Sequence, residues 1–190
     1  LFLLCIAVPA NVLIAAYLWY MVPLYLSDLG ASTSEIGRVI MAYYLLIVVV
    51  GPLASRFVDK PGRLGWLVGL GSLASAAGLI AFHDWQSIWA VVLTVIMLGL
   101  THAVAKGGQV PLALEICACE ITLVGRNTVL SILRFLERMG SVVGLLVAAV
   151  LIEVYGYEVA IGVTGSLVSG AALLFLVARL AGKQTGAAPV

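Results

Sequence analysis

The chain has 190 residues, of which 63% are hydrophobic and 10% are charged, and its formal net charge is +1 at pH 7. Soluble domains carry charge on about a quarter of their residues, so this composition and a mean hydropathy of +1.18 exclude an ordinary soluble protein. The nearly neutral charge also argues against a nucleic-acid-binding protein, which would carry a concentrated basic surface.

Six apolar segments are each long enough to cross a bilayer as a helix. We predict spans at about 1–26, 36–55, 64–82, 88–112, 127–152 and 159–178, followed by a cytoplasmic tail, 181–190. The predicted fold class is therefore an all-α polytopic membrane protein. The chain begins at Leu1 inside an apolar run that does not resemble a signal peptide, so we expect further sequence before it and a true C-terminus at the tail.

The first segment carries no charged residue but contains Pro9 and Pro23. A proline inside a helix removes a backbone hydrogen bond and kinks the helix. Asn11 and Tyr17 add polar atoms to the same segment. Two interpretations stay open: a packing asparagine with tyrosines in the interfacial belt, or a helix that lines a cavity.

The second segment follows Ser34 and Glu35, which are predicted to cap it, and it holds Tyr44 near its middle. The third segment contains no ionisable residue. It is rich in small residues, which allow helices to approach closely, so we expect it to pack rather than to bind. Its glycines are Gly65, Gly69, Gly71 and Gly78.

The basic loop between the second and third segments ends in the motif Asp59-Lys60-Pro61-Gly62-Arg63. This stretch resembles the loop signature of the major facilitator superfamily, although Ser55 stands where a glycine is usual. The resemblance implies that Asp59 and Arg63 form an inner gate with another half of the protein.

The fourth segment carries the most chemistry. His102, Lys106 and Gln109 are spaced by four and three residues, so they share one helix face. One interpretation places them in a cavity, because ionisable groups at membrane depth usually face a cavity or a partner. In the other, Lys106 reaches the inner boundary and His102 bonds to a neighbouring helix. In a cavity, His102 is a candidate proton carrier.

Cys117 and Cys119 lie between Glu115 and Glu120. A metal site needs about four ligands, and two thiols do not suggest one. The sequence also shows no nucleophile–base pair and no phosphate-binding loop. We therefore predict no metal, no cofactor and no enzymatic activity.

The fifth segment carries Arg134, which is predicted to contact Glu137 or Arg138 along its own helix. Together with Lys106, Arg134 would favour an anionic group in a cavity. Gly140 and Gly144 follow at the four-residue spacing that allows close helix packing.

That glycine pair resembles a second major facilitator signature, with Leu145 where the signature has a proline. A weak internal repeat adds to the resemblance, since 35–38 and 123–126 match in sequence at opposite faces of the membrane, as an inverted three-plus-three repeat requires. The whole chain resembles the C-terminal six-helix half of such a protein. This implies that the first, second, fourth and fifth helices line a central cavity.

The loops predict the orientation. The three predicted outer loops contain no Lys or Arg, and cations in short loops mark the cytoplasmic side. We predict that both ends are cytoplasmic, in a bacterial inner membrane. The cations on the inner side are Arg56, Lys60, Arg63, Arg126, Arg179 and Lys183.

Two functions follow as hypotheses. The first is a secondary transporter of a small solute, with cavity residues Asn11, Tyr17, Tyr44, His102, Lys106, Gln109 and Arg134. The second is a transport-inactive module, either the membrane domain of a sensor or an accessory subunit of a larger complex, because a fold does not fix a function. The expected partners are the bilayer, an N-terminal six-helix half or a partner membrane subunit, and an unknown small molecule, but no nucleic acid.

Overall fold

The computed structural model describes residues 8–58, 64–82 and 87–184, and all regular structure among them is helical. The helices are α1 (Val8–Asp28), α2 (Thr33–Val58), α3 (Leu64–Phe82), α4 (Ile88–Ile116), α5 (Ala118–Val124) and a long stretch, Arg126–Gln184. Five helical stretches of the described residues are long and apolar enough to cross a membrane. The predicted all-α polytopic class is confirmed.

Gly156 divides the long stretch into two helices, which we label α6 (126–155) and α7 (157–184). Its φ of 81° and ψ of 176° are not helical, and this region of φ/ψ space is open essentially to glycine alone. The chain reverses there: α6 runs alongside α1, whereas α7 returns alongside α3. The loop expected between the predicted spans 127–152 and 159–178 is therefore compressed to a single glycine between two helices.

The prolines of α1 change its hydrogen bonding. Leu13–Met21, between Pro9 and Pro23, is a π-helix, and the Val22 N–H donates to the carbonyl of Tyr17, five residues earlier. Pro23 has no N–H to continue the normal α-helical pattern, and π-helical turns widen a helix locally. The prolines thus accompany a change from α-helical to π-helical hydrogen bonding over nine residues, rather than the expected simple kink.

The turn from α1 to α2 is capped on both sides. Gly30, with φ 85°, ends α1, and the Ala31 N–H donates to the carbonyl of Leu26. Ser32 then caps α2, because its N–H and its hydroxyl both donate to Glu35 Oε2, at 2.8 and 2.7 Å. This capping box starts α2 at Thr33. Glu35 takes part in the cap as predicted, whereas the serine is Ser32 rather than Ser34.

Helix α1 forms the centre of the main apolar core, where Leu13, Leu18, Met21 and Leu26 are fully buried. Its tight contact with α6 comes from the predicted glycine pair. A Cβ atom on Gly140 would lie 3.0 Å from the Cα of Val8, and one on Gly144 would lie 3.1 Å from the Cα of Val12. Gly140 and Gly144 thus lie where α6 approaches the backbone of α1 most closely among the α6 glycines, in agreement with the packing role predicted for them.

Helix α3 packs through its glycines, as predicted. One side of it faces α4, where a Cβ on Gly71 would meet the carbonyl of Thr101 at 3.2 Å. The other side faces α7, where a Cβ on Gly69 would overlap the side chain of Leu176. Helix α2 is much less buried than α3, because only 6% of its membrane-length window is buried.

Candidate functional site

The first element of the site is a hydrogen bond between α1 and α4. Lys106 Nζ donates to Asn11 Oδ1 at 3.1 Å, and Asn11 is buried. Both side chains lie within membrane-length helices, where an unpaired polar group costs several kcal/mol. The contact joins two predicted cavity residues that are 95 positions apart in the sequence.

Helix α6 contributes an ion pair to the same region. Arg134 Nη1 lies 2.7 Å from Glu137 Oε2, which confirms the predicted contact one turn along the helix. Glu137 is buried, whereas the Arg134 side chain is 65% exposed. Lys106 interacts electrostatically with Glu137, Arg134 and Arg138. We call Asn11, Lys106, Arg134, Glu137 and Arg138 the charge cluster, and it brings α1, α4 and α6 together.

His102 forms a separate polar contact between α4 and α2. Its Nδ1 atom lies 3.0 Å from the hydroxyl of Tyr43, and the two rings meet edge to face. The histidine is fully buried, with 0% accessible surface. Its Nε2 atom is also buried and has no hydrogen-bond partner among the described residues. His102 therefore lies in the interior of the bundle rather than on its open surface.

The neighbouring tyrosine has a different environment. Tyr44 is 44% exposed, and its hydroxyl accepts a 2.7 Å hydrogen bond from Trp19 Nε1 of α1, itself 50% exposed. The two other predicted cavity residues, Tyr17 and Gln109, are buried. Of the seven predicted cavity residues, only Tyr44 and Arg134 are exposed, and Lys106 is half-buried.

A cleft of about 460 Å³ opens on α6 and is lined by Asn127, Leu130, Ser131 and Arg134, so that one member of the charge cluster borders it. A larger one, about 810 Å³, lies between α3 and α7 and is mostly apolar. Its lining includes Ile80, Gly162 and Leu174, with Glu158 as its ionisable residue. The smaller cleft thus has a charged and two neutral polar side chains in its lining.

The family model described as Major Facilitator Superfamily matches residues 4–189. This chain belongs to the major facilitator superfamily. The family is a transporter family, so the function is of the transporter type in general, and the chain is an integral membrane protein. No curated protein and no solved structure gave a significant match.

The predicted gate motif of this major facilitator protein, Asp59, Lys60, Gly62 and Arg63, lies outside the described residues. Cys117 and Cys119 are free thiols, the first buried and the second exposed. Burial, with Glu120 nearby, raises the pKa of the Cys117 thiol. No group of three or more potential metal ligands occurs within 8–58, 64–82 and 87–184.

Sequence reasoning did not place Glu137 or Tyr43 among the site residues of this transporter-family protein. Glu137 carried a usable signal, because an acidic residue within an apolar segment requires a partner. Tyr43 did not, since it adjoins Tyr44 and the sequence does not say which of the two faces inward. The structure decides this by burying Tyr43 to 1% exposure.

The adjacent tyrosines provide a matched test. We expect Tyr43→Phe to lower the free energy of unfolding by about 1–3 kcal/mol, because it leaves both ring nitrogens of His102 buried without a partner. Tyr44→Phe removes the same hydroxyl at an exposed position, so its effect should stay within about 0.5 kcal/mol. Thermal unfolding of the two purified variants checks this difference. Equal losses of stability would contradict a stabilising role for the hydrogen bond between Tyr43 and His102.

Proposed function

We propose that this protein is a secondary transporter, or the six-helix half of one, that moves a small solute across the membrane by alternating access. The observation that carries the proposal is the charge cluster. Ionisable side chains at membrane depth are costly and tend to mark solute or ion pathways. Here they come from three different helices, and one of them, Arg134, reaches the open surface beside a cleft.

The position of the cluster along the helices agrees with a site inside the membrane. Lys106 lies 18 residues after Ile88, the start of α4, or about 27 Å at the α-helical rise. Arg134 lies eight residues after Arg126, the start of α6, or about 12 Å. Both charges therefore lie within their helices rather than at the ends. Arg134 is close to the middle of a hydrocarbon core about 30 Å thick, whereas Lys106 lies past the middle, measured from the start of α4.

The exposed surface of α2 supports a second part of the proposal. Its outward side chains are apolar, including Met41, Val48 and Leu53 at 62%, 69% and 52% exposure. We propose that a second six-helix unit faces this bundle across the cavity, either in the same polypeptide or as a partner subunit. We also retain the predicted orientation, with the C-terminus cytoplasmic in a bacterial inner membrane.

Alternating access is testable without knowing the solute. Tyr44 lies eleven residues after Thr33 in α2, near mid-membrane at about 16 Å of helical rise. In the full protein without native cysteines, we expect Tyr44→Cys to react with a membrane-impermeant thiol reagent from either face of the membrane. Right-side-out and inside-out vesicles provide the two faces.

Leu167→Cys is the control, because Leu167 is 59% exposed on α7 at a surface that we expect to face lipid. It should not react from either side, since the thiolate needs water. Reaction of Tyr44→Cys from one side only, or from neither, would count against alternating access. That outcome would favour the transport-inactive module, a sensor domain or an accessory subunit.

A further inference from the structure

The charge cluster has an excess of positive charge. Lys106, Arg134 and Arg138 are cations, whereas Glu137 is the one carboxylate among the groups that act on Lys106. The cluster thus carries two more positive charges than negative ones. In a low-dielectric surrounding this excess repels cations and attracts anions over several ångströms.

We propose that this cluster recognises an anionic oxygen group, a carboxylate or a phosphate, on the transported solute, with Lys106 and Arg134 as direct contacts and Asn11 and Glu137 as the residues that position them. The proposal rests on the proposed transport function and names the class of solute. The same oxygen chemistry occurs on the headgroup of an anionic lipid, and the experiment below separates the two sources.

Among the described residues, the hydrogen bonds of both cations leave donors for a ligand. An ammonium group has three N–H donors, and one of Lys106 goes to Asn11. A guanidinium group has five, and Arg134 uses Nη1 to reach Glu137. Because each cation is held from one side by an oxygen acceptor, its remaining donors are oriented before a ligand arrives, which lowers the entropy lost on binding.

The cleft beside Arg134 provides the space. Its volume of about 460 Å³ lies within the range of small-molecule sites. Asn127 and Ser131 line it with an amide and a hydroxyl, and Leu130 adds an apolar contact. A small carboxylate or phosphate therefore has charged, neutral polar and apolar surfaces within one cleft.

The test measures the local charge at Ser131 with thiol reagents of opposite charge. The protein carries Cys5→Ser, Cys117→Ala and Cys119→Ser, and Ser131→Cys provides the reporter; Asn127→Cys is a second reporter in the same cleft. We measure the reaction rates of the anionic sulfonatoethyl and the cationic trimethylammonioethyl methanethiosulfonates. Their ratio is then normalised to the ratio for free 2-mercaptoethanol.

We expect the normalised ratio to favour the anionic reagent about tenfold. Lys106→Gln combined with Arg134→Gln should bring it to within about twofold of the free thiol. Arg38→Gln removes one cation near the N-terminal end of α2. This variant should leave the normalised ratio unchanged, which would exclude an effect of total charge. A ratio near that of the free thiol, at both reporters, would overturn the proposal.

Protection identifies the ligand. At constant ionic strength, inorganic phosphate or succinate should slow the anionic reagent at least threefold, with succinamide as the uncharged control. If phosphatidylglycerol vesicles protect and the soluble anions do not, the site binds a lipid headgroup and the solute assignment is overturned. If neither protects, anion recognition fails altogether.

Asn11→Leu tests the positioning role, because it leaves every charge in place. The rate ratio should stay high, while the phosphate concentration for half-protection should rise at least threefold. None of these measurements depends on alternating access. A one-sided Tyr44→Cys result with intact anion protection would therefore remove the transport proposal and leave an anion site.

Discussion

Replacing Glu137 with glutamine is expected to lower the free energy of unfolding by about 1–3 kcal/mol. Among the described residues, this buried carboxylate pairs with Arg134 and offsets the positive charge of Lys106. Breaking a fully buried ion pair costs about 3–5 kcal/mol. The lower range applies here because Arg134 is 65% exposed, and solvent screens exposed charges. Thermal or denaturant unfolding of the purified protein measures the loss.

Two further variants show whether the effect is electrostatic. Glu153→Gln removes an exposed carboxylate from the same helix and should change stability by about 0.5 kcal/mol or less. Arg134→Gln in the Glu137→Gln background removes one of the uncompensated cations, so we expect part of the stability to return. Equal losses for Glu137→Gln and Glu153→Gln would contradict the role assigned to the buried carboxylate.

Filling the space between α1 and α6 is expected to have an effect of similar size. In the double variant Gly140→Ala/Gly144→Ala, the new Cβ atoms would lie 3.0 and 3.1 Å from backbone atoms of Val8 and Val12. A backbone does not rotate away as a side chain does, so α1 must shift as a whole. Overpacking of this kind costs about 1–3 kcal/mol, and we expect a lower melting temperature.

The chain contains a matched control for this substitution. Gly37 and Gly170 are helical, and a Cβ atom on either meets nothing within 4 Å. Gly37→Ala/Gly170→Ala should therefore be neutral or stabilising, since alanine has the higher helix propensity by about 1 kcal/mol. If both double variants unfold alike, the close approach of α6 to α1 does not limit stability.

Much of the architecture followed from local sequence. Long apolar runs between short polar turns predict membrane helices, because a helix satisfies its backbone hydrogen bonds internally in the bilayer core. The packing role of Gly140 and Gly144 followed from their four-residue spacing, and the Arg134–Glu137 contact from its spacing of three. These predictions needed no knowledge of what lies across the bundle.

Other features depended on distant segments or on details of the turns. The capping box at Ser32 rather than Ser34 is set by how Gly30 ends α1. Asn11 reaches Lys106 only because α1 and α4 meet in the folded bundle. The gate motif at 59–63 remains a sequence prediction, as do the solute and the partner unit.

The amino-acid sequence by itself determined that this chain is an all-α membrane protein with ionisable groups inside its apolar segments, because hydropathy and spacing are local properties. The tertiary structure alone decided which of those groups meet. It buried Tyr43 against His102 and left Tyr44 exposed, and it joined Lys106 to Asn11 beside the Arg134–Glu137 pair. The physical reason is that a side chain's environment in a helical bundle depends on how each helix is rotated about its axis, and packing between helices sets that rotation.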